Sequence, residues 1–255
     1  MAIAPGSRHL MSVLVAWLAM AAGPALADPA NRLPDALERY LAGSVKPSTS
    51  ERQRLLRGEP ITRLLDSDPS KEVAVFGAVW VDAPRERYRD AVIDIERYER
   101  GRSFPVTRKL SVPPTLSDFA DVRLSDDEVR DLQACRVGDC KLKLGRTSIE
   151  AFRARVDFGG PSARRDAEAL FRERLLEHAT RYRTLGNAGL VEYHDSDPPI
   201  RAADELAALL GSWPSLLDGF PELRGCVAGY PQHTCGSATE FLYWQEVRFG
   251  LKPFI

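Results

Sequence analysis

Residues 73–100 read VAVFGAVWVDAPRERYRDAVIDIERYER, and the interpretation of this stretch decides the fold class. From Val73 to Val81 the residues are β-branched, aromatic or small and almost uninterrupted, so a strand is expected in which both faces are shielded from bulk water. One face would carry Val73, Val75, Val79 and Val81, the other Ala74, Phe76, Ala78 and Trp80. Gly77 in the middle marks a bulge, a bend or a close approach by another backbone. Asp82 can cap a following helix and Pro84 sits in its first turn, where a missing N–H costs nothing. That helix is predicted to pack through Tyr88, Ala91, Val92, Ile95 and Tyr98, an i, i+3, i+4, i+7 stripe, while Arg85, Glu86, Arg89, Asp90, Glu96 and Arg97 face solvent.

Upstream, Asp28 to Gly58 is helical and polar, with Leu33, Leu37, Tyr40 and Leu41 on one stripe, and reads as a lead-in. Ile61 to Leu65 is the expected first strand, and the turn-forming run Asp66 to Lys71 would join it as a hairpin to the valine-rich strand. Downstream, Phe104 to Val112 alternates well enough for a strand beside those two, and Pro113-Pro114 ends it. Helical signals dominate from about 113 to 240. Ser125 to Glu128 has the form of a capping box. Thr147 to Val156 is helical, and Ser162 to Leu185 is the longest helix, closed by Gly186 and Asn187. Leu190 to His194 reads as a strand or the start of another helix, and Asp204 to Leu210 as a short helix. Strand material returns at Phe241 to Trp244 and Leu251 to Ile255. The fold class is therefore α+β, an antiparallel sheet packed by helices, with residues 59–255 as one domain carrying a large helical insertion.

The first twenty-seven residues have the pattern of a cleaved export signal: Arg8, an apolar run from Leu10 to Ala22, and a small-x-small site before an Ala27/Asp28 cut. The apolar run is shorter than the roughly 20 residues that span a bilayer, and no later segment is long and apolar enough to do so. Export to the periplasm or beyond is the expectation. Over the whole chain 35 basic residues face 36 acidic ones. Nucleic acid is an unfavourable partner for such a balance, because phosphate binding needs a clustered positive excess.

Four cysteines fall as two local pairs, Cys135 with Cys140 and Cys226 with Cys235. In an oxidising compartment disulfides are the default, and local pairing is the simplest of three connectivities. The spacing does not match that of a zinc site. The carboxylate-rich turns at Asp66, Ser125 and Asp195 do not follow a calcium loop. No metal ligands, cofactor or catalytic residues are expected: the chain lacks a phosphate-binding glycine loop, a G-x-S-x-G elbow and HExxH. Of the histidines beyond the leader, His178 reads as a packed helix residue and His194 as part of a loop. His233 lies too close to Cys235, in a loop expected to be oxidised, to activate it as a nucleophile.

The strand that leads through Val81-Asp-Ala-Pro84 into a helix ending Asp94-x-x-x-Tyr98 resembles the START-like (SRPBCC, helix-grip) superfamily, whose corresponding elements form the mouth of an apolar cavity. With residues 56–65 (LRGEPITRLL), 135–144 (CRVGDCKLKL) and 241–253 (FLYWQEVRFGLKP), the chain is similar to a group of secreted bacterial proteins built on that core. The resemblance implies a non-enzymatic protein that binds or shields a hydrophobic small molecule, lipid-like in character, with Phe76, Trp80, Tyr88, Val92, Phe241 and Tyr243 lining the cavity. It also implies further strands and a gripped long helix after Ile255, so the chain reads as a shortened version of that core. The alternatives are a structural or protein-interaction module of the cell envelope, whose partner the sequence does not name, and a cyclase- or hydrolase-like enzyme. Fold alone licenses none of these.

Overall fold

The computed structural model describes residues 33–67, 73–212, 221–232, 238–249 and 252–254. It is an α+β structure with small antiparallel sheets. Its contacts divide the chain into two compact units, one reaching to Arg89 and the other built mainly from 90–212 and 222–254. The boundary expected at residue 58 is not where the contacts divide: the lead-in helices and the first hairpin share a unit.

In the first unit, α1 (Asp35–Tyr40) runs into a π-helical turn at Leu41–Val45, and α2 (Thr49–Leu56) follows. Ser48 starts α2 with a complete capping box: its hydroxyl accepts from the Glu51 N–H, and the Glu51 carboxylate accepts from the Ser48 N–H at 2.7 Å. Two donors that the first turn would leave orphaned are thereby satisfied. Gly58, at φ +79°, turns the chain out of α2 where a side chain would be strained. Strand β1 (Ile61–Leu64) then pairs antiparallel with β2 (Val75–Ala78), with Ile61 opposite Ala78 and Leu64 opposite Val75. Leu33, Leu41, Val45, Leu55 and Ile61 form the core, and Phe76, Ala78 and Trp80 pack onto it.

The valine-rich strand is correctly located, but its expected burial on both faces is not found. Even positions 74–80 face the core, whereas Val73, Val75, Val79 and Val81 are all exposed. The following helix departs from expectation too. It is broken into α3 (Arg85–Ile93) and α4 (Ile95–Tyr98) at Asp94, whose ψ of 59° leaves the helical region. Every residue from Val81 to Ala91 is exposed, so of the five expected packing residues only Ile95 is buried, Val92 is half-buried, and Tyr88, Ala91 and Tyr98 are exposed.

In the second unit β3 (Val106–Lys109) pairs with β6 (Tyr243–Phe249), and β6 with β7 (Lys252–Phe254). This corrects the expectation that β3 lies beside the first two strands. Alternation identifies a strand but says nothing of its partner, here more than 130 residues away. Leu110, Phe119, Val122 and Ala179 form a small core, and Leu242 and Trp244 pack onto it. The Trp244 indole donates to the Asp118 carbonyl at 2.8 Å.

The helical region supplies the larger core of this unit. A capping box at Ser125 starts α5 (Asp126–Ala134), and α6 (Arg146–Arg155) and α7 (Ala163–Leu185) complete the layer. Leu132, Ile149, Phe152, Ala167 and Leu170 meet there with almost no exposure. Each large apolar side chain so enclosed contributes about 1.5–3 kcal/mol. α7 ends at Gly186, at φ +58°, against the backbone of Tyr230: a β-carbon there would come within 1.7 Å of the Tyr230 oxygen. Strands β4 (Glu192–Tyr193) and β5 (Ile200–Arg201) form a two-residue ladder before α8 (Ala202–Ser212) and α9 (Pro221–Gly229).

Cys135 and Cys140 are disulfide-bonded as expected. The loop they close is clipped to the β4–β5 turn: Gly138 N–H donates to the His194 carbonyl and Cys140 N–H to that of Asp195. His194 N–H returns a bond to the Leu144 carbonyl, so the α6–α7 excursion is closed at its neck. Cys226 is disulfide-bonded, and Cys235, its expected partner, lies outside the described residues.

Candidate functional site

The most unusual surface among the described residues is the outer face of the β1–β2 hairpin. Since opposite residues of an antiparallel pair share a face, the register puts Thr62, Leu64, Val75 and Gly77 on one side. Val73 lies before β2 and Val79 and Val81 after it, all on the same parity. Leu64 is 77 % exposed and Val75 64 %. Exposed hydrophobic residues are ordinary when scattered, but here Leu64 lies directly opposite Val75 and three more exposed valines follow on the same parity at 73, 79 and 81.

The inner face is held firmly. Phe76 sets its ring 5.7 Å from that of Tyr40, tilted by 44°. Burial pushes the Tyr40 phenol above its ordinary pKa. Arg63, also on the inner parity, donates to the Glu51 carboxylate at 2.6 Å. Bonds from the Ser48 N–H, the Ser48 hydroxyl and Arg63 pull that carboxyl down to about 2. One carboxylate therefore both caps α2 and ties it to β1, which fixes the hairpin's inner face and leaves the valines outward.

The six aromatic and apolar residues expected to line a cavity fall into separate settings. Phe76 and Trp80 are half-buried against the lead-in helices, while Tyr88 is exposed on α3 and Val92 is half-buried. Phe241 and Tyr243 lie half-buried in the second unit, their ring centroids 6.1 Å apart, with the Lys109 ammonium 4.2 Å from the Phe241 centroid. Leu64 was legible as a surface residue only through the hairpin register, because its neighbour Leu65 is equally apolar.

A second cluster joins the disulfide loop to β4. Asp195 is 8 % exposed and accepts from Lys143 at 2.6 Å, while its other carboxylate oxygen is buried without a protein partner. Burial and the neighbouring Asp195 raise the pKa of the Tyr193 phenol. His194 Nδ1 lies 3.0 Å from the Glu192 carbonyl, which orients the ring locally. The backbone bonds from Gly138 and Cys140 make this cluster a structural clasp. Burial, and after it the neighbouring Arg181, lowers the His178 pKa. His233 lies outside the described residues.

Among the described residues no group of three or more His, Cys, Asp or Glu is placed to hold a metal ion, and no helix is long and apolar enough to cross a membrane. Comparison of the chain with protein-family models, with curated proteins and with solved structures returned no match.

Proposed function

We propose that the protein is an exported, non-catalytic interaction module of the cell envelope whose working surface is the outer face of the β1–β2 hairpin. The observation that carries this reading is the uncharged row of Val73, Val75, Val79 and Val81 beside Leu64, held open to solvent by a well-packed inner face. Contiguous apolar surface costs solubility, so a stable fold that presents it has a use for it. The leader pattern and the Cys135–Cys140 disulfide support export. A photo-crosslinking residue at position 75 should capture a component of the envelope in cells. Val75→Thr combined with Val79→Thr should weaken retention of the purified protein on an octyl matrix. A wild-type protein that neither crosslinks nor is retained would refute the proposal.

The START-like resemblance supports a second reading, a carrier of a hydrophobic small molecule or lipid. The observation that favours it is the half-buried Phe241–Tyr243 pair with Lys109 over one ring, which offers apolar contact and a cation to an amphiphile. Native mass spectrometry of protein purified from its own host tests it: a bound apolar species that is lost in Phe241→Ser supports the carrier, and an empty protein refutes it.

A further inference from the structure

We propose that the occupant of the exposed hairpin face is a second copy of the same chain, packed face to face about a two-fold axis through Gly77. The inference rests on the reading of that face as a docking surface and names its partner.

The argument begins with the symmetry of the strand. Counting outward from Gly77, the solvent-facing positions are Val75 and Val79, then Val73 and Val81. The surface therefore reads the same in both directions. An isologous contact requires this self-complementarity, since a two-fold axis at Gly77 sets Val75 of one copy against Val79 of the other and Val73 against Val81.

Charge points the same way. No charged residue interrupts positions 73–81; Lys71 and Glu72 precede the row and Asp82 follows it. An uncharged row has nothing to complement in an acidic or basic partner, and between positions 73 and 81 two copies bring no like charges together. The centre is also open. A β-carbon built on Gly77 meets nothing within 4 Å, so the face carries a shallow notch on the axis, where two backbones can approach closely.

The area bounds the dimer as a weak, reversible one. Five side chains exposing roughly 100 Å² each give at most about 1,000 Å² over both copies, in the range of transient contacts. Sheets packed face to face stand about 10 Å apart, a spacing that interdigitated valines fill.

Sedimentation velocity on the purified protein over a concentration series tests the proposal, and the register gives it a specific form. Wild type should show a reversible monomer–dimer equilibrium. Val75→Lys and Val79→Glu should each weaken the dimer by roughly 100-fold or more, because each places two charges against apolar surface. The double variant Val75→Lys/Val79→Glu should recover much of that loss, since each new lysine then faces a glutamate of the other copy. Positions 75 and 79 of one strand lie about 13 Å apart, too far to pair within a copy. Circular dichroism should be unchanged in all three, because both side chains point away from their own core; Val75→Glu/Val79→Lys repeats the test should one variant misfold. A wild type that stays monomeric into the high micromolar range, single variants that dimerise as well as wild type, or a double variant no better than the singles would each overturn the proposal. A monomer that still crosslinks from position 75 to another envelope component refutes the second copy and leaves the docking face standing. A monomer that crosslinks to nothing removes both.

Discussion

Two adjacent residues, Val75 and Phe76, provide the most direct test of which side of the hairpin is covered. Phe76 faces inward, in contact with Tyr40 and the leucine core, and Val75 faces outward. Truncating a fully enclosed phenylalanine to alanine costs about 3–5 kcal/mol. Phe76 is only partly enclosed, so Phe76→Ala should destabilise the first unit by about 2 kcal/mol. Val75 is 64 % exposed. Burying a whole valine contributes about 1.5–3 kcal/mol, so the enclosed third amounts to about 0.5–1 kcal/mol, an upper bound for Val75→Thr, which also keeps the branched shape. Hydrogen exchange read on peptides spanning 49–81 measures the opening of this unit separately from the rest of the chain, whose global unfolding need not be two-state. Measured on protein dilute enough to be monomeric, Phe76→Ala should accelerate exchange of the slowest amides about 30-fold and Val75→Thr no more than about five-fold. Equal effects would mean that a buried hydroxyl was created at position 75, and the account of an open outer face would fail.

The Ser48–Glu51 box makes two claims on the same unit. Ser48→Ala should cost about 1 kcal/mol by urea denaturation. The Glu51 pKa lies below that of the unfolded chain, so its contribution is present above about pH 4.5 and is lost as pH falls toward about 2. Glu51→Gln should lower stability at neutral pH and flatten the acid limb of the profile over that window. In the second unit, Lys143→Met leaves the Asp195 carboxylate buried without its cation and should destabilise by about 3 kcal/mol, with the Lys143→Met/Asp195→Asn pair milder; equal costs would show that the charge is solvated. Gly186→Ala should lower the thermal midpoint by several degrees, since a β-carbon would meet the Tyr230 backbone, whereas Gly43→Ala, in open space, should not.

What the sequence disclosed follows from which signals are local. The α7 helix, the capping box at Ser125 and the Cys135–Cys140 bond all depend on residues within a few turns of one another, and all are found. The partner of β3 lies on β6, and the cation of Asp195 lies 52 residues upstream; nothing in the spacing of either segment encodes these meetings. The Val73–Val81 strand is instructive in a different way. Its alternation was visible, but hydrophobicity measures what exposure costs and not whether the fold relieves it. Both parities were apolar, so burial of each was the natural expectation. In the structure only the parity of Phe76 and Trp80 has a core to meet. The aromatic residues grouped as one cavity lining were assigned by resemblance to a common site, and the contacts they make divide between two units.

The clasp between the Cys135–Cys140 loop and the β4–β5 turn has a practical corollary. Because the chain leaves at Leu144 and returns at His194 within one hydrogen bond, the ends of the helical excursion are tied together, while its helices are also anchored by packing, Ala179 against Leu110, Phe119 and Val122. The exposed turn at Gly159, between α6 and α7, is therefore a natural place to graft a tag or epitope, as both helices are held from elsewhere.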